Sequence, residues 1–163
     1  MLERYLKVRE MRDNSTTKKN NRVSITMNKL RVGAVFIPVL NLEESISWYV
    51  DCFELELVDH WGTGASLKFL SGEALLALIQ VNEAQPLHFT TGSNSNVYFH
   101  FETDNIELYK AHLEEKNVEI TAYKDHGLMD EMYIMDPSGN QIVIYCEKKS
   151  SPFYKHATNK LSW

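Results

Sequence analysis

The strongest constraint on the fold of this chain is an internal repeat. The first copy begins with the apolar, β-branched run 32–39 and continues into an amphipathic helix. Strands are predicted after this helix at 54–60, 65–70 and 74–81. The second copy keeps the same order, with strands predicted at 96–103, 118–124, 131–136 and 141–147 and a helix after the first of them. Each half therefore reads β-α-β-β-β, and a repeated supersecondary unit predicts two similar modules, which we expect segment 82–94 to link.

Both predicted helices begin with the same capping pattern. Asn41 precedes the first helix and Glu44 follows three residues later, which is typical of an N-cap with a capping box. The segment 104–107 (Asp-Asn-Ile-Glu) predicts a second start of this kind. Apolar residues then recur at helical spacing on one face of each helix. These are Leu42, Ile46, Tyr49, Val50 and Phe53 in the first helix, and Ile106, Tyr109 and Leu113 in the second.

The last two strands are joined by the segment 136–140, Asp-Pro-Ser-Gly-Asn. Proline presets φ, glycine accepts positive φ, and aspartate and asparagine can bond to nearby backbone groups, so this segment predicts a tight turn. Together with the first helix, Leu42-Glu43-Glu44-Ser45-Ile46-Ser47-Trp48-Tyr49, it resembles the vicinal oxygen chelate superfamily. That superfamily comprises the glyoxalases, the bleomycin-resistance proteins and the extradiol dioxygenases.

The resemblance covers about residues 29–147, most of the chain. It implies an α+β fold of two βαβββ modules, 29–82 and 95–147, whose curved mixed sheets form a cup. Metal-dependent members of the superfamily place one ligand on the first strand and one on the last strand of each module. The resemblance puts these four positions at Ala34, Leu76, Tyr98 and Val143, with Leu78 as the other register for Leu76.

The side chains at these four positions argue against a metal site. Alanine, leucine and valine have no donor atom, and tyrosine is a poor substitute for the neutral imidazole of histidine. We therefore expect no metal at the usual site and no other cofactor. The metal-free relatives are the bleomycin-type binding proteins, which are dimers that hold a planar, often cationic drug in the cup. By this resemblance we expect a homodimer that binds a small organic molecule.

Strand periodicity predicts which side chains line the cup, because residues two apart share a face. The face that carries Ala34 and Phe36 in the first module corresponds to the face that carries Tyr98, His100, Val143 and Tyr145 in the second. Loop aromatics and one acidic residue extend this predicted lining, which is mainly aromatic and apolar. The predicted ligand-binding residues are Phe36, Trp61, Phe89, Tyr98, His100, Glu131 and Tyr145. The alternative is a cup interior that is simply packed core.

His100 is the candidate catalytic residue, and three roles are open for it. It could act as a general base, it could bind a displaced metal together with Glu102 and His60, or it could be a hydrogen-bonded histidine in the core. The second role would make the protein a lyase or dioxygenase-type enzyme of the same superfamily. We expect binding without the usual metal site, and keep a metal-dependent or acid–base enzyme as the alternative.

Composition and charge limit the partners. The chain of 163 residues is 44% hydrophobic and carries a net charge of −5, although residues 1–26 contain more basic than acidic residues. The remainder is therefore acidic, which argues against nucleic acid as a partner. No apolar run reaches the length of a membrane span. The two cysteines form no disulfide framework, and we expect a cytoplasmic protein. We expect 1–26 to be a flexible, dispensable extension, and 148–163 to be a tail that is either frayed or folded back.

Overall fold

The computed structural model describes residues 30–154, and the compact unit discussed below begins at Val32. The predicted extension 1–26 and the last nine residues of the predicted tail lie outside the described residues. The first module consists of β1 (Ala34–Val39), α1 (Leu42–Phe53), β2 (Glu56–His60), β3 (Gly64–Lys68) and β4 (Leu75–Gln80). A hairpin follows, made of β5 (His88–Thr91) and β6 (Asn94–Val97). The second module consists of β7 (Phe101–Glu102), α2 (Ile106–Glu115), β8 (Ile120–Asp125), β9 (Met129–Met135) and β10 (Gln141–Glu147).

The two modules have the same sheet topology. The strand order is β1-β4-β3-β2 in the first sheet and β7-β10-β9-β8 in the second. In each sheet the first strand lies parallel to the last one, and the remaining pairs are antiparallel. The predicted α+β fold with two mixed βαβββ modules is confirmed. Within residues 30–154, no helix is both long enough and apolar enough to span a bilayer.

Both helices begin at an asparagine cap. The Oδ1 atom of Asn41 accepts a hydrogen bond from the backbone N–H of Glu44 at 3.3 Å, and Oδ1 of Asn105 accepts one from Leu108 at 3.0 Å. The cap of the second helix is therefore Asn105 rather than Asp104. Asn105 has extended backbone angles, which an N-cap requires, and its side-chain oxygen accepts from one of the otherwise unpaired N–H groups of the first turn.

The single strand predicted at 96–103 is wrong. The chain forms β6 up to Val97, bends at 98–100, and resumes as the two-residue strand β7. The first part of the predicted strand pairs with His88–Thr91 in a hairpin instead of joining the second sheet. Gly92 and Ser93 form the two-residue hairpin connection, and Gly92 has φ of 62°, as the first central residue of a type II′ turn requires.

The hydrophobic core lies between the sheets and the two helices. Fully buried side chains of this core come from both modules, and they include Ile37, Tyr49, Leu78, Leu113 and Ile144. The helices also contact each other, because the Tyr109 hydroxyl donates to the carbonyl of Cys52 at 3.1 Å. The helix side of each sheet is therefore covered, and the opposite side is where a site can form.

The predicted turn 136–140 forms hydrogen bonds that hold the second module to the first. The Asp136 carboxylate, 5% exposed, accepts hydrogen bonds from the backbone N–H groups of Ser138 at 2.9 Å and Asn140 at 2.8 Å. Its other oxygen accepts from the hydroxyl of Tyr49 on α1 at 2.9 Å and from the Asn140 amide at 2.8 Å. The same Asn140 amide donates to the carbonyl of Pro38 at 2.8 Å. The turn of the second module thus holds β1 and α1 of the first.

Candidate functional site

The open side of the second sheet is built by alternation along β9 and β10. On β9, Met132 and Ile134 are buried on the helix side, so Glu131 and Tyr133 face the other way. On β10, the same argument places Val143 and Tyr145 on the open side. The pairing register sets Glu131 opposite Tyr145 and Tyr133 opposite Val143.

A cavity of about 570 Å³ lies on this open side. Its floor comes from the second sheet, and one wall comes from the hairpin. The volume falls in the range of small-molecule sites. The lining residues are Ser93, Asn94, Ser95, Asn96, Val97, His100, Ala122, Lys124, His126, Glu131, Tyr133, Gln141 and Val143. This lining is mainly polar, which differs from the aromatic lining that the sequence predicted.

Glu131 is the central polar group of the cavity. The residue is 5% exposed, and its Oε2 atom accepts hydrogen bonds from the Tyr133 hydroxyl at 2.5 Å and from Nε2 of His126 at 2.9 Å. Its Oε1 atom lies 3.8 Å from Nδ1 of His100, too far for a hydrogen bond. Among residues 30–154, Oε1 receives no hydrogen bond. One oxygen of this carboxylate is therefore satisfied, and the other remains an unused acceptor.

The surroundings of Glu131 keep it ionised. Burial would raise the pKa of Glu131, but the hydrogen bonds from Tyr133 and His126 and the charges of His126 and His100 outweigh burial, so the pKa is lowered. Burial and the bond to Glu131 raise the pKa of Tyr133 to about 12, which keeps its hydroxyl protonated as a donor. Lys124 donates to the same hydroxyl at 3.2 Å, and its ammonium lies 4.4 Å from the centre of the Tyr133 ring.

We expect the stability of Glu131→Gln to fall less steeply with decreasing pH than the stability of wild type. Because the pKa of Glu131 is lower in the folded chain than the ordinary 4.5, ionised Glu131 stabilises the fold above that pH. This contribution is lost as the pH falls through the lower, folded-state value. The difference in melting temperature between wild type and Glu131→Gln should thus shrink as the pH falls below 4.5. A difference that grows below pH 4.5 would contradict the assignment.

Two of the predicted ligand-binding residues, His100 and Glu131, line the cavity. Tyr145 stands beside them, with its ring 5.8 Å from the His100 ring. Burial, followed by the charge and hydrogen bond of Glu102, raises the pKa of Tyr145 to about 12. These three residues form one group on the open side of the second sheet.

The other four predicted residues lie elsewhere. Phe89 and Tyr98 pack against each other at 5.3 Å next to the hairpin, and Tyr98 is 67% exposed because it sits in the bend after β6. Phe36 is 62% exposed on the open side of the first sheet. Trp61 lies over Gly64, where a Cβ atom would come within 2.6 Å of its ring. Their role in ligand binding stays a prediction.

The register predicted for the first-module ligand position is wrong. Leu76 and Leu78 are both fully buried in the core on the helix side of β4. Ala77, which pairs with Phe36, is the residue on the open side. Val143 is on the open side as predicted, while Tyr98 lies in the bend rather than in a strand. Ala34, Ala77 and Val143 carry no donor atom, so the residues present do not fit the metal of the metal-dependent members.

The displaced metal site considered for His100, Glu102 and His60 is not formed. His60 instead contacts Glu43 of α1 at 3.0 Å. His100 lies beside Glu131, and Glu102 is bonded by Tyr145. In the described part of the chain, no three His, Cys, Asp or Glu side chains are grouped in a way that could hold a metal ion.

Three residues of the site were not among the predicted set: Lys124, His126 and Tyr133. His126 lies in the connection between β8 and β9, where the sequence alone predicts a surface histidine. The alternation of side chains along β8 and β9 could have indicated Lys124 and Tyr133. Lys124 pairs with Glu131, and Tyr133 pairs with Ala122, so all four lie on the same face. No pattern in the sequence could have shown that the His126 side chain bends back onto Glu131.

Comparisons with known proteins agree with this architecture. The family model for the Glyoxalase/Bleomycin resistance protein/Dioxygenase superfamily matches residues 31–144. A search of curated proteins finds no match. Among solved structures, a lactoylglutathione lyase from Agrobacterium tumefaciens is similar, with 19% identity over 74% of this chain and 96% of its own, and a TM-score of 0.58.

Two further solved structures have the same fold. The antibiotic binding protein TnmS3 from Streptomyces sp. CB03234 is 18% identical over 75% of this chain and 99% of its own, with a TM-score of 0.58. The oxidase ChaP-H2 is 13% identical over 76% of this chain and 98% of its own, with a TM-score of 0.57. These likenesses concern the fold alone. The family match covers most of the chain, and the chain belongs to the Glyoxalase/Bleomycin resistance protein/Dioxygenase superfamily.

Proposed function

We propose that this superfamily member binds a small organic molecule in the cavity of its second module and does so without the usual metal site. The ligand presents a cationic or hydrogen-bond-donating group to Glu131. The polar walls from the hairpin and Gln141 hold the rest of the molecule. Fold alone does not decide this, because the same scaffold serves different chemistries.

The observation that carries the proposal is the unused Oε1 atom of Glu131. The buried polar atom that lacks a partner among the described residues is the Ser45 hydroxyl, so Oε1 of Glu131 is instead open to the cavity and available to a ligand donor. Oε2 already receives two hydrogen bonds, from Tyr133 and His126. A ligand N–H or ammonium group at Oε1 would complete the arrangement and would be a charge-assisted bond.

The superfamily includes binders as well as enzymes, and this supports the proposal without deciding it. The structurally similar TnmS3 is an antibiotic binding protein, whereas the similar lactoylglutathione lyase and ChaP-H2 are enzymes by name. Ala34, Ala77 and Val143 offer no donor atom at the metal positions of the family, and this supports binding without the usual metal. A cavity in which a carboxylate oxygen can accept a hydrogen bond from a ligand supports a small-molecule binding protein.

A thermal-shift screen tests the proposal. The panel consists of proflavine, benzamidine and metal-free bleomycin as cationic probes, with acridone as the uncharged planar counterpart of proflavine. We expect at least one cationic probe to raise the melting temperature in a saturable way, and acridone to have a smaller effect. A panel that leaves the melting temperature unchanged throughout would overturn the proposal.

An acid–base enzyme is the second candidate, and one observation favours it. Glu131 and His126 form a hydrogen-bonded pair at 2.9 Å in the cavity, and such a pair can move a proton. His100 is the other imidazole beside the carboxylate, with its Nδ1 atom 3.8 Å from Oε1 of Glu131. Mass spectrometry of each probe recovered after overnight incubation separates the candidates: unchanged probe supports a binder, and a converted probe supports the enzyme.

We also propose that the protein is a homodimer, in which a second copy covers the open side of the first sheet. The side chains that face this side on β1 and β4 are all apolar, and an apolar sheet face left in water is typical of an interface. They are Ala34, Phe36, Pro38, Leu75, Ala77 and Ile79. Phe36, at 62% exposed, is the most prominent of them.

We expect Phe36→Lys to convert the dimer into a monomer, because it places a charge at the centre of this face. Leu108→Lys is the matched control, since Leu108 is 70% exposed on α2, away from the sheet face. Light scattering after size exclusion gives the mass of each variant. A dimer that survives Phe36→Lys, or a monomeric wild type, would contradict the proposal.

The free thiols support the expected cytoplasmic location. Cys52 and Cys146 are both free, and Cys52 is buried. Burial, together with the charge of Asp51, raises the pKa of Cys52 to about 11, which makes it an unreactive thiol. We propose that the chain works in a reducing compartment, because Cys146 is less buried and is still a free thiol.

A further inference from the structure

The cavity of the second module contains a positive charge as well as the Glu131 carboxylate. Lys124 on β8 pairs across the strands with Glu131 on β9, and both side chains line the cavity. The two charges are not joined directly, because the Tyr133 hydroxyl stands between them. This hydroxyl accepts from Nζ of Lys124 at 3.2 Å and donates to Oε2 of Glu131 at 2.5 Å. One wall of the cavity thus carries an anion and a cation that are held apart by a phenol.

The Lys124 ammonium group has donors left for a ligand. Within residues 30–154, the lysines that form ion pairs with carboxylates are Lys110, Lys116 and Lys148. Lys124 has three N–H donors, and the hydrogen bond to Tyr133 uses one of them. An ammonium group that lines a cavity and lacks a carboxylate partner can form a charge-assisted hydrogen bond with an anionic ligand group.

The separation of the two charges suits a small zwitterion. The contacts through Tyr133 place Nζ of Lys124 at most about 8 Å from Oε1 of Glu131. The ammonium and carboxylate groups of an α-amino acid lie about 3 Å apart, and a hydrogen bond of about 2.9 Å at each end lets them reach across this distance.

The charge of the lining favours the same class of ligand. Lys124 and Glu131 are its lysine and its acidic residue, and their charges cancel when the two histidines of the lining are neutral. A ligand that is only a cation would pair with Glu131 and would be repelled by Lys124. A ligand that carries both charges is complementary to both residues.

We propose that the ligand of this cavity is a zwitterion of the α-amino acid type, with its ammonium group at Oε1 of Glu131 and its carboxylate at Nζ of Lys124. The remainder of the ligand lies against Val97 and Val143, which are apolar members of the lining. This proposal rests on the proposed function, and it narrows the ligand class from cations in general to molecules that also carry a carboxylate.

Methyl NMR with three matched probes tests the ligand class. L-tryptophan carries both charges, tryptamine lacks the carboxylate, and indole-3-propionate lacks the amine. Protein with ¹³C-labelled valine methyl groups is titrated with each probe at neutral pH, and the Val143 signal reports binding. The Val39 signal is the internal reference, because Val39 is fully buried in the first module and does not line the cavity. We expect tryptophan to bind about tenfold more tightly than either of the other two probes.

Variants of Lys124 make the test specific. Lys124→Met should weaken the binding of tryptophan about tenfold and should strengthen that of tryptamine, because a charge that attracts the carboxylate and repels the lone cation has gone. Lys124→Arg keeps the charge and should keep the preference for tryptophan. Lys110→Met is the matched control, since Lys110 pairs with Glu114 on α2 and does not line the cavity.

The outcomes separate this proposal from the proposed function. A saturable Val143 shift with tryptamine, but no tighter binding of tryptophan, would overturn the zwitterion class and leave the proposed function standing. Equal affinity for tryptophan in wild type and Lys124→Met would do the same. No shift of Val143 with any of the three probes would also overturn this proposal, and the thermal-shift panel then decides on the proposed function independently.

Discussion

Replacing Asp136 with alanine is expected to lower the free energy of unfolding by about 4 kcal/mol. Four hydrogen bonds end on this buried carboxylate, and one donor is the fully buried hydroxyl of Tyr49. Alanine removes the common acceptor of these donors at a position where the aspartate is only 5% exposed. For a domain of this size, the loss corresponds to a fall in melting temperature of roughly 10–20 °C.

Denaturant unfolding and thermal melts measure this loss of stability. Two milder variants show which hydrogen bonds contribute to it. Asp136→Asn keeps one acceptor oxygen and should cost about half as much. Tyr49→Phe removes one hydrogen bond and should cost about 1.5 kcal/mol in wild type. In the Asp136→Ala background the Tyr49→Phe change should cost little, because its partner has gone. Full additivity of the two changes would show that the hydroxyl and the carboxylate do not interact.

Glu131→Gln is expected to weaken the binding of proflavine by at least about tenfold. The substitution keeps the shape of the side chain but removes the charge that attracts the cation. It also replaces one oxygen by an amide group that donates rather than accepts. Fluorescence titration at neutral pH gives both dissociation constants, and acridone should respond much less to the change than proflavine.

Glu43→Gln is the matched control for this prediction. Glu43 also contacts a histidine, His60, at 3.0 Å, but the pair lies in the first module and outside the cavity. We expect Glu43→Gln to bind proflavine as wild type does. An equal loss of affinity in both variants would point to a general effect of surface charge and would remove Glu131 from the site.

The sequence predicts the fold better than it predicts the site. The repeat, the capping asparagines and the turn 136–140 are local patterns, and each depends on neighbours in the chain. The break of the predicted strand 96–103 is the exception. Val97, Phe99 and Phe101 recur at every second position, as in one continuous strand, but the Gly92-Ser93 connection is a hairpin signal of its own. The hairpin competes with the sheet for the same residues, and local pattern alone could not decide between them.

The site depends on contacts between distant residues, and these leave little trace in the sequence. His100 was found by strand parity, and Glu131 was found as an acidic residue that precedes the last hairpin. His126 is missed because it reaches Glu131 from a loop whose path no local rule fixes. Leu76 is misplaced because a register error of one residue moves a side chain to the other face of a strand. Residues 75–79 of β4 are all apolar, so no alternation of polar and apolar side chains could have corrected the register.

The most direct test of the proposed ligand site is the crystal structure of the protein with proflavine, or with whichever cationic probe of the panel binds most tightly. The account predicts the probe in the second-module cavity, with its aromatic plane near Val143 and an N–H group within hydrogen-bond distance of Oε1 of Glu131. A probe bound elsewhere, with Oε1 still lacking a donor, would contradict it.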